Sequence, residues 1–137
     1  MPSVSVTSDR ARRVVNAALA KGDEMGLRIS VAVVDPAGFL VAFGRADGAG
    51  PYTSEVAQGK AYAVIFMARP SAEIRELAQS RPQFFDALKN LGWRTLIPSP
   101  GGVPIPGGGA IGVSGAPDPD QDVAIAQWAI DQIADLA

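Results

Sequence analysis

The 137-residue sequence contains no cysteine and no histidine. Without cysteine there are no disulfides, no thiolate metal ligands and no thiol nucleophile, which fits a reducing compartment. Without histidine a single chain cannot build a Ser-His-Asp triad, a histidine-ligated zinc or an imidazole-ligated haem. Positive charge is also scarce. The formal net charge is -2, and no Lys or Arg follows Arg94, which argues against a nucleic-acid surface. Long apolar runs are missing too. The longest, Ala61 to Ala68, is far too short to span a bilayer. The first residues, MPSVSVTSDR, lack the apolar centre of a secretory signal. The expectation is a cytoplasmic protein with neither membrane nor nucleic-acid partners.

What is present is a globular pattern. Hydrophobic residues make up 47% and charged residues 19%, so the chain can bury a core, and its length fits one domain over residues 1–137. Ser8 is a candidate N-cap, and Ala11, Val14, Val15, Ala18 and Leu19 follow at helical spacing up to Gly26. Two alternating runs, centred on Val31–Val33 and Val41–Phe43, flank Asp35-Pro36-Ala37-Gly38 and predict an antiparallel hairpin. A small-residue helix runs from Ser54 to Ala68, and Arg69-Pro70 stops it. Ser71 is placed to cap a short helix, and Pro82–Leu91 forms further helical turns. Arg94–Ile97 and Ala110–Ser114 read as the third and fourth strands. Asp118–Leu136 reads as a last helix with Val123, Ala126, Ile130 and Ile133 as its apolar stripe. This order does not alternate as a parallel sheet requires. It predicts an α/β (α+β) fold, an antiparallel sheet flanked by helices.

Pro98–Gly115 holds seven of the 15 glycines and four of the 11 prolines. Such density usually marks a linker, but patterned elements bound it on both sides. It reads instead as a loop and strand where missing side chains allow close backbone approach. Gly107–Gly112 matches G-x-G-x-x-G by letter, yet β-branched Ile111 within it and Val113 after it stand where a helix should start. Asp118, Asp120 and Asp122 resemble the opening of a calcium loop, but Val123 and Ala129 occupy the required Gly and Glu positions. These aspartates are read as complementing the dipole of the last helix. No metal site is expected.

Lys60 is one of three lysines and sits among Gly59, Ala61, Val56 and Val64. Burial there would lower its pKa and make it a candidate acid/base or nucleophile. The alternative, which spacing favours, is a lysine whose stem covers the core while its ammonium reaches water. Arg45 and Asp47 lie where the hairpin meets a glycine-rich loop, and Tyr52, Thr53, Ser54 and Glu55 open the next helix. They form either a site for an anionic group or a loop closed by an Arg–Asp pair. Trp93 and Trp128 read as core or interface aromatics.

The motifs VAVVDPAG (31–38), GRADGAG (44–50), GKAYAVIFMARPS (59–71), PGGVPI (100–105) and AIGVSGAPDPDQDVAIAQ (110–127) together resemble the GlcG/HbpS-like haem-binding family, which includes the PduO C-terminal domain. The resemblance runs from about Ala11 into the last helix. It implies a profilin-like fold and homo-oligomers, from dimers to octamers. It also implies binding of haem or a related tetrapyrrole, with haem degradation or redox sensing in some relatives. The family pattern falls on Arg45, Asp47, Lys60, Gly101, Gly102, Ser114 and Asp122. Two departures stand out: no histidine is available to ligate iron, and only a short turn separates Ile105 from Gly109.

Three functions follow as expectations. The first is a small-ligand module that binds haem or another tetrapyrrole without a histidine ligand, through Arg45, Tyr52, Thr53, Ser54, Gly101, Gly102 and Ser114. The second is a cofactor-independent isomerase, lyase or hydrolase acting on a small carbonyl or carboxylate substrate, with Lys60 and Glu55 or Asp47 as catalytic groups. The third is an oligomeric accessory subunit.

Overall fold

A computed structural model describes residues 6–136. Helix α1 (Ser8–Glu24) begins one residue before the expected cap. Thr7 is the N-cap, its hydroxyl accepting from the Arg10 N–H at 3.1 Å, and Ser8 is already helical. Ala11, Val14, Val15 and Ala18 form its buried stripe. Strands β1 (Ser30–Val34) and β2 (Leu40–Arg45) form the predicted hairpin. Its turn is organised by Asp35, whose Oδ1 accepts from the N–H groups of Ala37 and Phe39 at 2.9 and 3.0 Å.

Helix α2 (Thr53–Met67) ends at Ala68, which adopts a left-handed conformation (φ 56°) just before Arg69-Pro70. Helices α3 (Ser71–Ser80) and α4 (Pro82–Leu88) follow. Ser71 does not cap α3. Its hydroxyl accepts instead from the Gly102 N–H at 2.7 Å and donates to the Ser99 carbonyl, tying α3 to the glycine-rich segment.

The third strand is not at Arg94–Ile97. Those residues carry no ladder. Leu96 is buried with Tyr62, Ala63, Ile74 and Phe85 in a satellite core, and its N–H bonds the Lys89 carbonyl. The N–H of Ile97 points to the Gly59 carbonyl on α2. Strand β3 is Gly102–Pro104, β4 is Ala110–Ser114, and α5 (Pro119–Leu136) closes the chain. Along α5, Ile125 and Ala129 join Ala126, Ile130 and Ile133 in the core, whereas Val123 is only half-buried.

The sheet order is β2-β1-β4-β3, antiparallel throughout. The α/β architecture read from the sequence therefore holds: an open antiparallel sheet with helices on both faces. Val31, Val33, Ile111 and Val113 point to the face covered by α1 and α5, where the main core lies. The opposite face is paved with small residues: Ser30 and Ala32 on β1, Ala110, Gly112 and Ser114 on β4, and Gly102 on β3. Helix α2 lies on this pavement at near-contact distance. A Cβ on Gly112 would collide with the Ala57 carbonyl, and one on Gly59 with Ile97. Because α2 covers β1, β4 and β3, it leaves the same face of β2 open, with Leu40 and Phe43 exposed.

Candidate functional site

The register of the sheet aligns Arg45, Ser30 and Ser114 across β2, β1 and β4 on the α2 face. Thr53, the first residue of α2, anchors the helix to this row. Its hydroxyl lies 2.9 Å from the Ser30 hydroxyl and donates to the Gly50 carbonyl at 2.6 Å. Ser30, Thr53 and Ser114 are all buried. Arg45 and Asp47 are exposed, and no ion pair joins them among the described residues. The loop is closed otherwise: Arg45 Nη1 donates to the Ala49 carbonyl and Arg28 Nη1 to the Asp47 carbonyl, each at 2.8 Å. Both bonds are to the backbone, so the Asp47 carboxylate forms neither.

Lys60 sits deeper, on the second turn of α2. Its side chain is 3% exposed, so the ammonium does not reach water. It donates to the Val113 carbonyl at 2.8 Å and to Asp122 Oδ2 at 3.2 Å, and Asp122 is equally buried. The other Asp122 oxygen accepts from the Ala116 N–H at 3.2 Å. The absence of a side chain at Gly101 makes this meeting possible: a Cβ there would stand 2.9 Å from the ammonium and against the Val113 carbonyl. Lys60 thus passes the end of the short strand β3 and ties α2, on one face of the sheet, to α5 on the other. Burial lowers the Lys60 pKa, and Asp122 opposes that shift. Burial likewise raises the Asp122 pKa, opposed first by Lys60 and then by the Ala116 N–H. Each partner is pulled toward its neutral form because desolvation outweighs their attraction.

The rim of the site is open. Tyr52 is 67% exposed. One turn on, Glu55 and Val56 form a wall of a groove of about 430 Å³, and Trp93, Arg94, Thr95 and Ile97 complete it. Trp93 is 56% exposed and stacks on exposed Phe39, with ring centroids 5.7 Å apart. Tyr62 meets Trp93 edge-on at 4.8 Å. Arg94 reaches back to α2, 3.3 Å from Glu55 Oε1 and 3.0 Å from Gln58 Oε1.

The residues singled out in the sequence therefore separate into two groups. Lys60, Gly101 and Gly102 belong to a sealed region: Gly101 and Gly102 press on Lys60 and Ser71. Thr53 and Ser114 are packed beside it. Arg45, Asp47, Tyr52, Ser54 and Glu55 lie on the accessible side. The bonded partners of Lys60 are Asp122 and Val113, not Glu55 or Asp47. Sequence reasoning missed the link to Asp122, which it assigned to the helix dipole. It also missed Ser30, and Arg94 as a groove residue. The small neighbours of Lys60 were the available signal for its burial. Nothing local marked its partner.

A helix-covered antiparallel sheet with a sealed ionic contact and an open aromatic rim defines a small mixed α/β domain. Comparison with known proteins gives the family. The chain belongs to the haem degrading protein HbpS-like family, whose model matches residues 6–131. A double mutant of HbpS from Streptomyces reticuli is 28% identical, with a TM-score of 0.85 over 97% of this chain and 90% of that one. ORFY from Klebsiella pneumoniae is 25% identical, with a TM-score of 0.85 over 95% of this chain and 91% of its own. PduOC, solved as a haem complex, is 23% identical, with a TM-score of 0.81 over 93% of this chain and 94% of its own. That last likeness is one of fold. No curated protein matches the sequence. Among the described residues no helix is long and apolar enough to cross a membrane.

Proposed function

We propose that the protein is a small-ligand-binding module whose ligand is haem or another tetrapyrrole, held without histidine. Family membership supports this reading. The structural observation that carries it is the exposed, stacked pair Phe39 and Trp93 beside half-buried Arg94. Such a surface suits a flat apolar ring with acidic substituents. The donor set restricts how iron would be held. The sequence has no imidazole or thiol, and the Lys60 ammonium is committed to Asp122 and Val113. Exposed Tyr52 offers a phenol, a donor of the type that holds haem iron in catalase. Haem titration followed by absorbance should give a saturable Soret shift at one equivalent. Tyr52→Phe should alter that spectrum while leaving metal-free porphyrin binding intact. A shift that never saturates would overturn the reading.

The alternative of an enzyme using Lys60 with Glu55 or Asp47 has weaker support, because Lys60 would first have to leave Asp122. Oligomerisation has a specific observation in its favour. Strand β2 is an edge strand with Leu40 and Phe43 exposed on it, an arrangement that invites a second copy. We include homo-oligomerisation and a cytoplasmic location in the proposal. A monomeric mass in solution would remove the former.

A further inference from the structure

We propose that the groove between the start of α2 and the Trp93–Ile97 segment seats the acidic edge of the ligand, with Arg94 exchanging Glu55 for a ligand carboxylate. This inference rests on the tetrapyrrole-binding reading and adds where the ligand lies and what it must carry.

The geometry supplies three elements. The floor is firm: Ile97 bonds its N–H to the Gly59 carbonyl at 3.4 Å, and no room for a Cβ remains between Gly59 and Ile97. A groove of about 430 Å³ falls within the usual range for small-ligand sites, roughly 300–1,000 Å³. The aromatic surface extends past the groove, since Trp93 lines it and stacks on exposed Phe39 beyond it. A planar ring larger than the groove can rest its overhang against this pair.

The third element is the charge. The Arg94 side chain is 26% exposed and its guanidinium carbon lies 5.6 Å from the Trp93 ring centre. Gln58 holds one guanidinium nitrogen at 3.0 Å and Glu55 the other at 3.3 Å. The guanidinium is therefore oriented before any ligand arrives. Its anionic partner is weakly held, because Glu55 is 75% exposed and an exposed ion pair is readily given up. A ligand carboxylate approaching along Trp93 can form a paired contact with Arg94 while Glu55 swings into water. One carboxylate replaces another, so the net charge at Arg94 does not change. Glu55 becomes a competitor for the site rather than an acid or base within it.

The test uses the whole protein, protoporphyrin IX and the dimethyl ester of protoporphyrin IX, which lacks acidic groups. Arg94→Gln should weaken the diacid about 5- to 10-fold and leave the ester nearly unchanged. Glu55→Gln should tighten the diacid about 2- to 5-fold, again without effect on the ester. Trp93→Ala should weaken both, and Trp93→Phe should restore most of the loss. Unchanged far-ultraviolet circular dichroism and melting temperature would show that each variant folds. If the wild type binds the diacid but Arg94→Gln and Glu55→Gln leave its affinity unchanged, the groove is not the seat and the tetrapyrrole reading survives. Equal losses for diacid and ester in Arg94→Gln would also refute the carboxylate exchange. If the wild type binds neither compound nor haem, both proposals fall.

Discussion

Asp122→Ala tests the central contact of the fold. Lys60 and Asp122 are each 3% exposed, 3.2 Å apart, and reach one another through the gap left by Gly101. Removing the carboxylate strands an ammonium with the Val113 carbonyl as its remaining partner. Breaking a buried pair in this way costs about 3–5 kcal/mol. For a domain of this size that is a fall of roughly 10–20 °C in melting temperature. The double replacement Lys60→Met with Asp122→Leu removes both desolvation costs and should return to within about 1 kcal/mol of wild type, or exceed it. Urea unfolding of wild type, Lys60→Met, Asp122→Leu and the double variant gives the coupling directly. The pH dependence supplies an independent check. Asp122 has a raised folded pKa, so its contribution is favourable below the ordinary value of 3.8 and is lost as pH rises through the folded value. Lys60 has a lowered folded pKa, so its contribution is favourable above 10.5 and is lost as pH falls through the folded value. The advantage of the double variant over wild type should therefore peak between these windows and shrink toward either extreme. A loss below about 1 kcal/mol for Asp122→Ala, or a double variant no more stable than the single, would refute the account of a sealed, mutually dependent pair.

Two glycine-related substitutions should act in opposite directions. Gly112→Ala would drive a methyl group into the Ala57 carbonyl and should cost about 1–3 kcal/mol by chemical denaturation; a neutral effect would mean that α2 can lift from the sheet. Ala68→Gly relieves a left-handed alanine at the end of α2 (φ 56°) and should be neutral to about 1 kcal/mol stabilising in the same assay, whereas a clear destabilisation would contradict that backbone assignment.

The helices and the β1–β2 hairpin were legible because periodicity is local: the apolar spacing from Ala11 to Ala18 and the Asp35-to-Gly38 turn need no distant partner. The third strand was misplaced for an equally physical reason. Arg94–Ile97 has the composition of a strand, but burying Leu96 in the satellite core directs its backbone bonds to Lys89 and Gly59. The real strand, Gly102-Val103-Pro104, carries residues that disfavour strands, tolerated because it lies at the sheet edge. In the site, the start of α2 and the special position of Lys60 were visible. Asp122 was not recognised as its partner, because 62 residues separate them. The contrast between Asp118 and Asp122 is also tertiary. Asp118 accepts from the Asp120 N–H at the helix start, as a capping residue should, while Asp122 turns inward.

The tight bed beneath α2 limits how a bound ligand can be communicated. A helix pressed against Gly112, joined to Ser30 through Thr53 and to Asp122 through Lys60, makes a poor messenger: it has no free direction in which to slide or roll. On the opposite bank Ile97 is equally pressed against Gly59, but Trp93 stands 56% exposed. Any displacement that follows occupancy would fall on Trp93 and its Phe39 partner, and the sheet would stay as it is.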